Sequence, residues 1–298
     1  MSLDDFITWV YCWVDDHVTE ELRERRLRQR GLAPALSDAE VITMELVGEF
    51  QGFDTDKGIW RYFCEHWRGW FPGLGSRSQF AKQAANLWAL KQCLHERLMD
   101  ELGSRRDPVH LVDGFPLPVS HFKRAPDCQR FKGEASHGYC ASKEQHYYGF
   151  EGHVILDLHG VIAGITLTAA HDSEREAVWE LTEPINAGLL LGDKGYLGAD
   201  FQSELWDLRQ LQLQTPRRRN MCDPLPKAWR RQLNRLRRRV ETTIGQLVER
   251  FHIERTSARN LWSLTNRLTR KVLAHSLGVL ANREQGHPPL QLELVIQP

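Results

Sequence analysis

The sequence predicts an α/β protein, a mixed sheet flanked by helices, preceded by an all-helical N-terminal region. Three observations carry this. Apolar residues at helical spacing, with start and stop signals, fill the first hundred positions. Short apolar runs closed by turn residues fill the middle. A 3.6-residue apolar stripe returns near the end. A length of 298 residues suits about two domains. With 41% hydrophobic and 26% charged residues, disordered, collagen-like and disulfide-scaffold classes are excluded. No apolar run approaches the roughly 18 residues a membrane span requires. The N-terminus carries Asp4, Asp5, Asp15 and Asp16 rather than a basic region and an apolar block, so no signal peptide is expected. A cytosolic protein is the expectation. None of the six cysteines forms a C-x-x-C pair, and Cys128, His137 and Cys140 lack a fourth zinc ligand at usual spacing.

The elements follow in order. Ser2 with Asp5 starts a helix carrying Phe6, Ile7, Val10 and Val14. Ser37 followed by Glu40 is a capping box, and Val41, Ile42, Met44, Leu46, Val47 and Phe50 supply the helical spacing behind it. Thr55 starts a short helix broken by Phe71-Pro72-Gly73. Ser78 opens a longer one that Gly103 stops. At Asp107-Pro108 the texture changes. Val109 to Asp113 is a strand closed by Pro116 and Pro118, and Ser120 to His146 is a polar loop. Tyr147–Leu156 and Val161–Thr168 form a hairpin turning at Asp157 to Gly160. A helix over 173–182, strands over 189–192 and 211–215, and helices over 227–251 and 261–282 follow. The tail after Gly286 is expected to be loose. The divisions are therefore 1–106, 107–285 and 286–298. An antiparallel start followed by helix-linked strands is the order of an RNase H-like sheet.

Net charge is zero, from 39 basic and 39 acidic residues, yet the basic ones are segregated. Arg217, Arg218, Arg219, Lys227, Arg230, Arg231, Arg235, Arg237, Arg238 and Arg239 face a single acid, Asp223, over that span. Such a stripe suits a polyanion such as nucleic acid, and a solvated helix face is the alternative. A second knot, Arg23 to Arg30, is diluted by Glu20, Glu21 and Glu24.

Three acids stand out. Asp113 and Asp193 each follow an apolar strand directly, where loops gather into sites. The long helix has its stripe at Trp229, Leu233, Leu236, Val240, Ile244, Leu247 and Phe251, which puts Glu241 at the border of core and solvent, with Arg237 on the same flank. Three clustered carboxylates repel unless a divalent ion neutralises them. Oxygen-only donors suit Mg²⁺ or Mn²⁺, and two such ions can drive phosphodiester cleavage. The competing readings are a turn residue for each aspartate and an exposed i, i+4 partner for Glu241.

Several stretches resemble bacterial insertion-sequence transposases of the DDE type, most of all the insertion sequence 982 group. They are Leu36 to Ile42, Val112-Asp113-Gly114-Phe115-Pro116, Gly138-Tyr139 to Lys143, Tyr147 to His153, Ala170-His171-Asp172, Gly192-Asp193-Lys194-Gly195-Tyr196 and Arg239-Val240-Glu241-Thr242-Thr243-Ile244. The resemblance implies an RNase H-like catalytic domain with Asp113, Asp193 and Glu241 as ligands of two Mg²⁺ ions, for which Mn²⁺ can substitute. It implies cleavage at the element's terminal inverted repeats and attack of the 3′-hydroxyl on target DNA, by a homodimer or larger assembly in the bacterial cytoplasm at the nucleoid. Arg237 fits the family's arginine place near the glutamate, while Asn234 and Val248 stand where related groups carry Tyr and Lys. Arg237, Lys194, Tyr196, Arg230, Arg231, Arg235, Arg238, Arg217, Arg218, Lys123 and Arg124 are the expected DNA contacts. The N-terminal helices are expected to bind the DNA end, to dimerise, or both. An inactive DNA-binding relative and a nuclease without strand transfer are the alternatives.

Overall fold

The structure, a computed structural model, describes residues 1–23, 27, 33–140, 143–216, 226–255 and 257–297. The chain forms two compact units. One comprises Met1–Leu98, Leu247–Ile253 and Ala258–Pro298, and the other Met99–Gln246 and Glu254–Ser257.

The first unit is helical. It holds α1 (Leu3–Glu21), α2 (Asp38–Phe50), α3 (Asp56–His66), α4 (Arg77–Asn86), most of α5 (Trp88–Leu102) and a C-terminal helix (Leu261–Glu284). The capping box at Ser37 and Glu40 forms as expected, with both reciprocal hydrogen bonds present. The single helix expected from Ser78 is instead two. Ser76 caps α4 through a second capping box, and the chain breaks at Leu87 before α5. α2 is buried on nearly every side, including Glu45 and Glu49. Their charges are met inside the unit: Lys91 of α5 bonds Glu45, Arg270 bonds Glu49 and Asp56, and Lys271 bonds Glu49 at 2.6 Å.

The expected boundaries do not follow these units. Residues 261–284 and the tail pack with the N-terminal helices, because Arg270 and Lys271 answer the acids of α2 and because Leu292 and Val295 are apolar and fully buried. The tail is therefore not loose: Gln297 N donates to Met1 O at 2.9 Å, and Leu292 lies against the Gly278 backbone.

The second unit is a six-stranded mixed sheet with helices. Its elements are β1 (Val109–His121), β2 (Ser136–Cys140), β3 (Gln145–Asp157), β4 (Ile162–Ala169), α6 (Glu174–Leu181), β5 (Gly188–Leu191), α7 (Ala199–Arg209), β6 (Leu211–Gln214) and α8 (Lys227–Glu249), with α9 naming the helix over Leu261–Glu284 of the other unit. β3 runs antiparallel to β1 on one edge and to β2 and β4 on the other. β5 pairs parallel with β1 and with β6. Parallel strands need a crossover, and α7, which no sequence signal had suggested, supplies it between β5 and β6. Val112, Ile155, Val178, Leu190, Phe201 and Leu205 pack one core between sheet and helices.

β1 does not close at Pro116 and Pro118 but continues to His121. Leu189 N donates to Pro108 O, so even-numbered residues of β1 turn their peptide groups toward β5. β5 pairs only as far as Leu111. The missing N–H of each proline therefore falls on an edge without a strand partner among the described residues, where proline is tolerated. The expected loop 120–146 also contains β2, which forms a hairpin with the start of β3.

Candidate active site

The parallel register of β1 and β5 builds the site. Leu111 pairs with Leu191, the last paired residues of that ladder. Asp113 and Asp193 each lie two residues further on. Parallel strands end at the same edge of a sheet, so register alone brings these two acids together. Asp113 is not at a strand end, as expected, but within β1 opposite Val154, at the point where β5 has stopped.

Local hydrogen bonds fix both aspartates. Gly114 N donates to Asp113 Oδ1 at 2.9 Å, and Gly195 N donates to Asp193 Oδ1. Burial pushes the Asp113 carboxyl up to about 6. The Gly114 N–H opposes that rise, Asp193 adds to it, Arg237 opposes it, and Glu241 adds to it. Asp193, Arg237 and Glu241 thus each lie within electrostatic reach of Asp113. Glu241 is exposed on α8, and Arg237 one turn earlier is half-buried. Two residues beyond Glu241, Thr243 donates to Gly160 O at 2.8 Å, which ties α8 to the β3–β4 turn.

Two further acids join that the sequence reading did not select. Glu151 on β3 is pushed up to about 7 by burial, then by Glu174, Asp113 and Asp193. Glu174, in the first turn of α6, is likewise raised to about 7 by burial, then by Asp193 and Asp113. A methyl at Gly195 would sit 2.2 Å from Glu174 Oε2 and 3.0 Å from Asp193 Oδ1, so those two oxygens are within about 5 Å of each other. Glu151 Oε1 lies against Gly114, which has no Cβ to displace it. Side chains alternate along a strand. Asp113 therefore leaves one sheet face, and Glu151, opposite Pro116, leaves the other, where α6 packs. The acids line both sides of one sheet edge. The only signal for Glu174 was an acid just after a turn and before a helix, which reads equally well as a helix-start charge. Ser173 supplies the cap itself, and Asp172 closes the preceding turn by accepting from Ala169 N.

A cleft of about 370 Å³ adjoins the acids. Lys194, Arg230 and Arg237 line it together with Gln214, Thr215 and Asn234. Three of the expected DNA contacts thus share one concave surface. Arg231, Arg235 and Arg238 are exposed along α8, and Lys123 and Arg124 are exposed in a short 3₁₀ turn after β1. Arg217 and Arg218 lie outside the described residues. Tyr196 is a correction: it is fully buried in the sheet–helix core, so its ring is not available to DNA. Its hydroxyl has no hydrogen-bond partner among the described residues and titrates high, first from burial and then from Glu174 and Asp113.

The donor chemistry fits a hard divalent cation, since the acids offer oxygen donors and, after burial, neighbouring negative charge raises the proton affinity of Asp113, Glu151 and Glu174. The spacing is wider than a coordination shell. Among the described residues, no three His, Cys, Asp or Glu side chains are close enough to share one ion. No helix among them is long and apolar enough to cross a membrane.

A family model described as a transposase DDE domain matches residues 103–261, just over half of the chain. No curated protein and no solved structure matches it.

Proposed function

The chain belongs to the DDE-domain transposases, and from that premise we propose that it cuts phosphodiester bonds at the ends of a mobile element and joins the freed 3′-hydroxyl to target DNA. The observation that carries this reading is the juxtaposition of Asp113 and Asp193 by the β1–β5 register, with Glu241 and Arg237 of α8 in electrostatic reach. The strand order, four antiparallel strands (β1 to β4) followed by β5 and β6, which run parallel to β1 and are joined through α7, supports an RNase H-like sheet. The motifs around Asp193 and Glu241 support kinship with the insertion sequence 982 group.

Asp113, Asp193 and Glu241 would hold Mg²⁺ or Mn²⁺, two ions in the usual scheme for such sites. Bound there, divalent ions supply the charge neutralisation and nucleophile activation that phosphodiester cleavage needs. The chain's own cations do the rest. Lys194, Arg230 and Arg237 line a cleft beside the acids, suited to a phosphate backbone. Arg231, Arg235 and Arg238 extend that positive track along the exposed side of α8. The substrate is DNA, in the form of terminal inverted repeats and a target duplex. Pairing two ends favours a dimer or larger assembly, acting in the cytoplasm at the nucleoid.

The test uses the full chain and duplex DNA carrying the element's inverted repeats. Asp113→Ala, Asp193→Ala and Glu241→Ala should each abolish Mn²⁺-dependent cleavage while retaining DNA affinity. Full cleavage by any one of them removes that residue from the site. Cleavage without joined product would leave a nuclease.

A further inference from the structure

We propose that Phe122, His137, Tyr139 and His146 form a stacking platform for unpaired nucleobases, apart from the acid cluster. The β2–β3 register places Tyr139 directly opposite His146 and His137 opposite Tyr148, so these side chains share one sheet face. Phe122, from the 3₁₀ turn after β1, lies against that face. Its ring centroid is 5.1 Å from His137 and 5.4 Å from His146, and Tyr139 is 4.7 Å from His146. The rings make a continuous row, and the row is open. Phe122 keeps 48% and Tyr139 55% of its surface exposed, and both histidines are exposed. Tyr148 behind them is buried and anchored through its hydroxyl to Phe131 O.

Large exposed aromatics in a row are costly in water unless something covers them. The neighbouring charge indicates what. Lys123 and Arg124 follow Phe122 and are exposed, whereas Lys143 in the hairpin is already held by both oxygens of Glu254. Aromatic faces beside exposed cations match a single-stranded nucleic acid, whose bases stack while its phosphates meet the cations. A duplex stacks its bases on one another and offers no free base face, so the platform suits unpaired bases. His146 and Glu151 lie five residues apart on β3, roughly 17 Å at the rise of a strand, which places the platform a few nucleotides from the acids. The inference rests on the reading that this chain acts on DNA, and not on which acids cut it.

The experiment measures binding of the full chain to a labelled oligothymidylate and to a blunt duplex without metal. Phe122→Leu and Tyr139→Leu keep apolar bulk but lose the π face. Each should weaken single-strand binding on the order of tenfold and leave duplex affinity unchanged, while Tyr139→Phe retains both. Binding is read without metal and without any cleavage, so failure of the cleavage reading and failure of this one are separable. The proposal is overturned if the double Leu variant binds the single strand normally, or if it loses single strand and duplex equally. It is also overturned if the variant changes sedimentation without losing single-strand affinity, which would make the face a contact between copies.

Discussion

At the scale of single residues, the site is a matter of which charges face which. Glu151 and Glu174 were invisible because nothing in a linear sequence distinguishes an acid that faces Asp113 across a sheet edge from one that faces water. Tyr196 was misread for the mirror reason. It follows the candidate acid Asp193 closely and so suggested a DNA contact as readily as loop packing, but the chain folds it back under Gly192 into the core. Arg237 was legible, since its helical phase put it on the flank of Glu241, and it lies both in the basic cleft and beside Asp113. If Arg237 neutralises one phosphate, Arg237→Ala should reduce the slope of log K against log salt by about 0.9. Fluorescence anisotropy at several ionic strengths measures that slope, and an unchanged slope would place Arg237 away from the backbone.

At the scale of elements, pattern reading succeeded where one face is apolar and the other wet. α1 and the stripe of α8 have that character. It faltered where an element has two buried sides or an unpaired edge. β1 runs through two prolines because their nitrogens face an edge that β5 has left. α2 buries Glu45 and Glu49, positions that spacing assigns to solvent. That burial is sustainable only because Lys91, Arg270 and Lys271 arrive from other helices of the same unit. Lys91→Met should accordingly destabilise the protein by about 3–5 kcal/mol, because it strands a buried carboxylate, and adding Glu45→Met should recover much of the loss. Urea unfolding of the single and double variants measures both. A neutral single variant would mean Arg270 alone satisfies Glu45.

At the scale of the whole molecule, the chain divides by contacts rather than by sequence order, with α9 and the tail completing the helical unit that the first residues begin. That unit also carries a titration signature. Burial, then the positive charge of Arg250, push His275 down to about 3. A histidine with a depressed folded pKa contributes stability that is fully present above its unfolded value and lost as pH falls from about 6.5 toward 3. At pH 5 the unfolded chain takes up a proton that the folded chain refuses, a loss of about 2 kcal/mol. His275→Gln should remove that component of acid sensitivity. Denaturation midpoints of parent and variant at pH 7 and pH 5 provide the check, and equal pH dependence in both would refute the assignment.

By itself the sequence determined the α/β class, most of the elements, the basic stripe and the acids Asp113, Asp193 and Glu241 as candidates, because these are written in local periodicity and short motifs. Only the tertiary structure decided that Asp113 and Asp193 end side by side, that Glu151 and Glu174 crowd the same edge, and that the C-terminal helix completes the N-terminal unit. The physical reason is that strand register and long-range charge pairing join residues far apart in the chain. Their free energy depends on the partner that arrives across space, and no window of neighbouring residues encodes that partner.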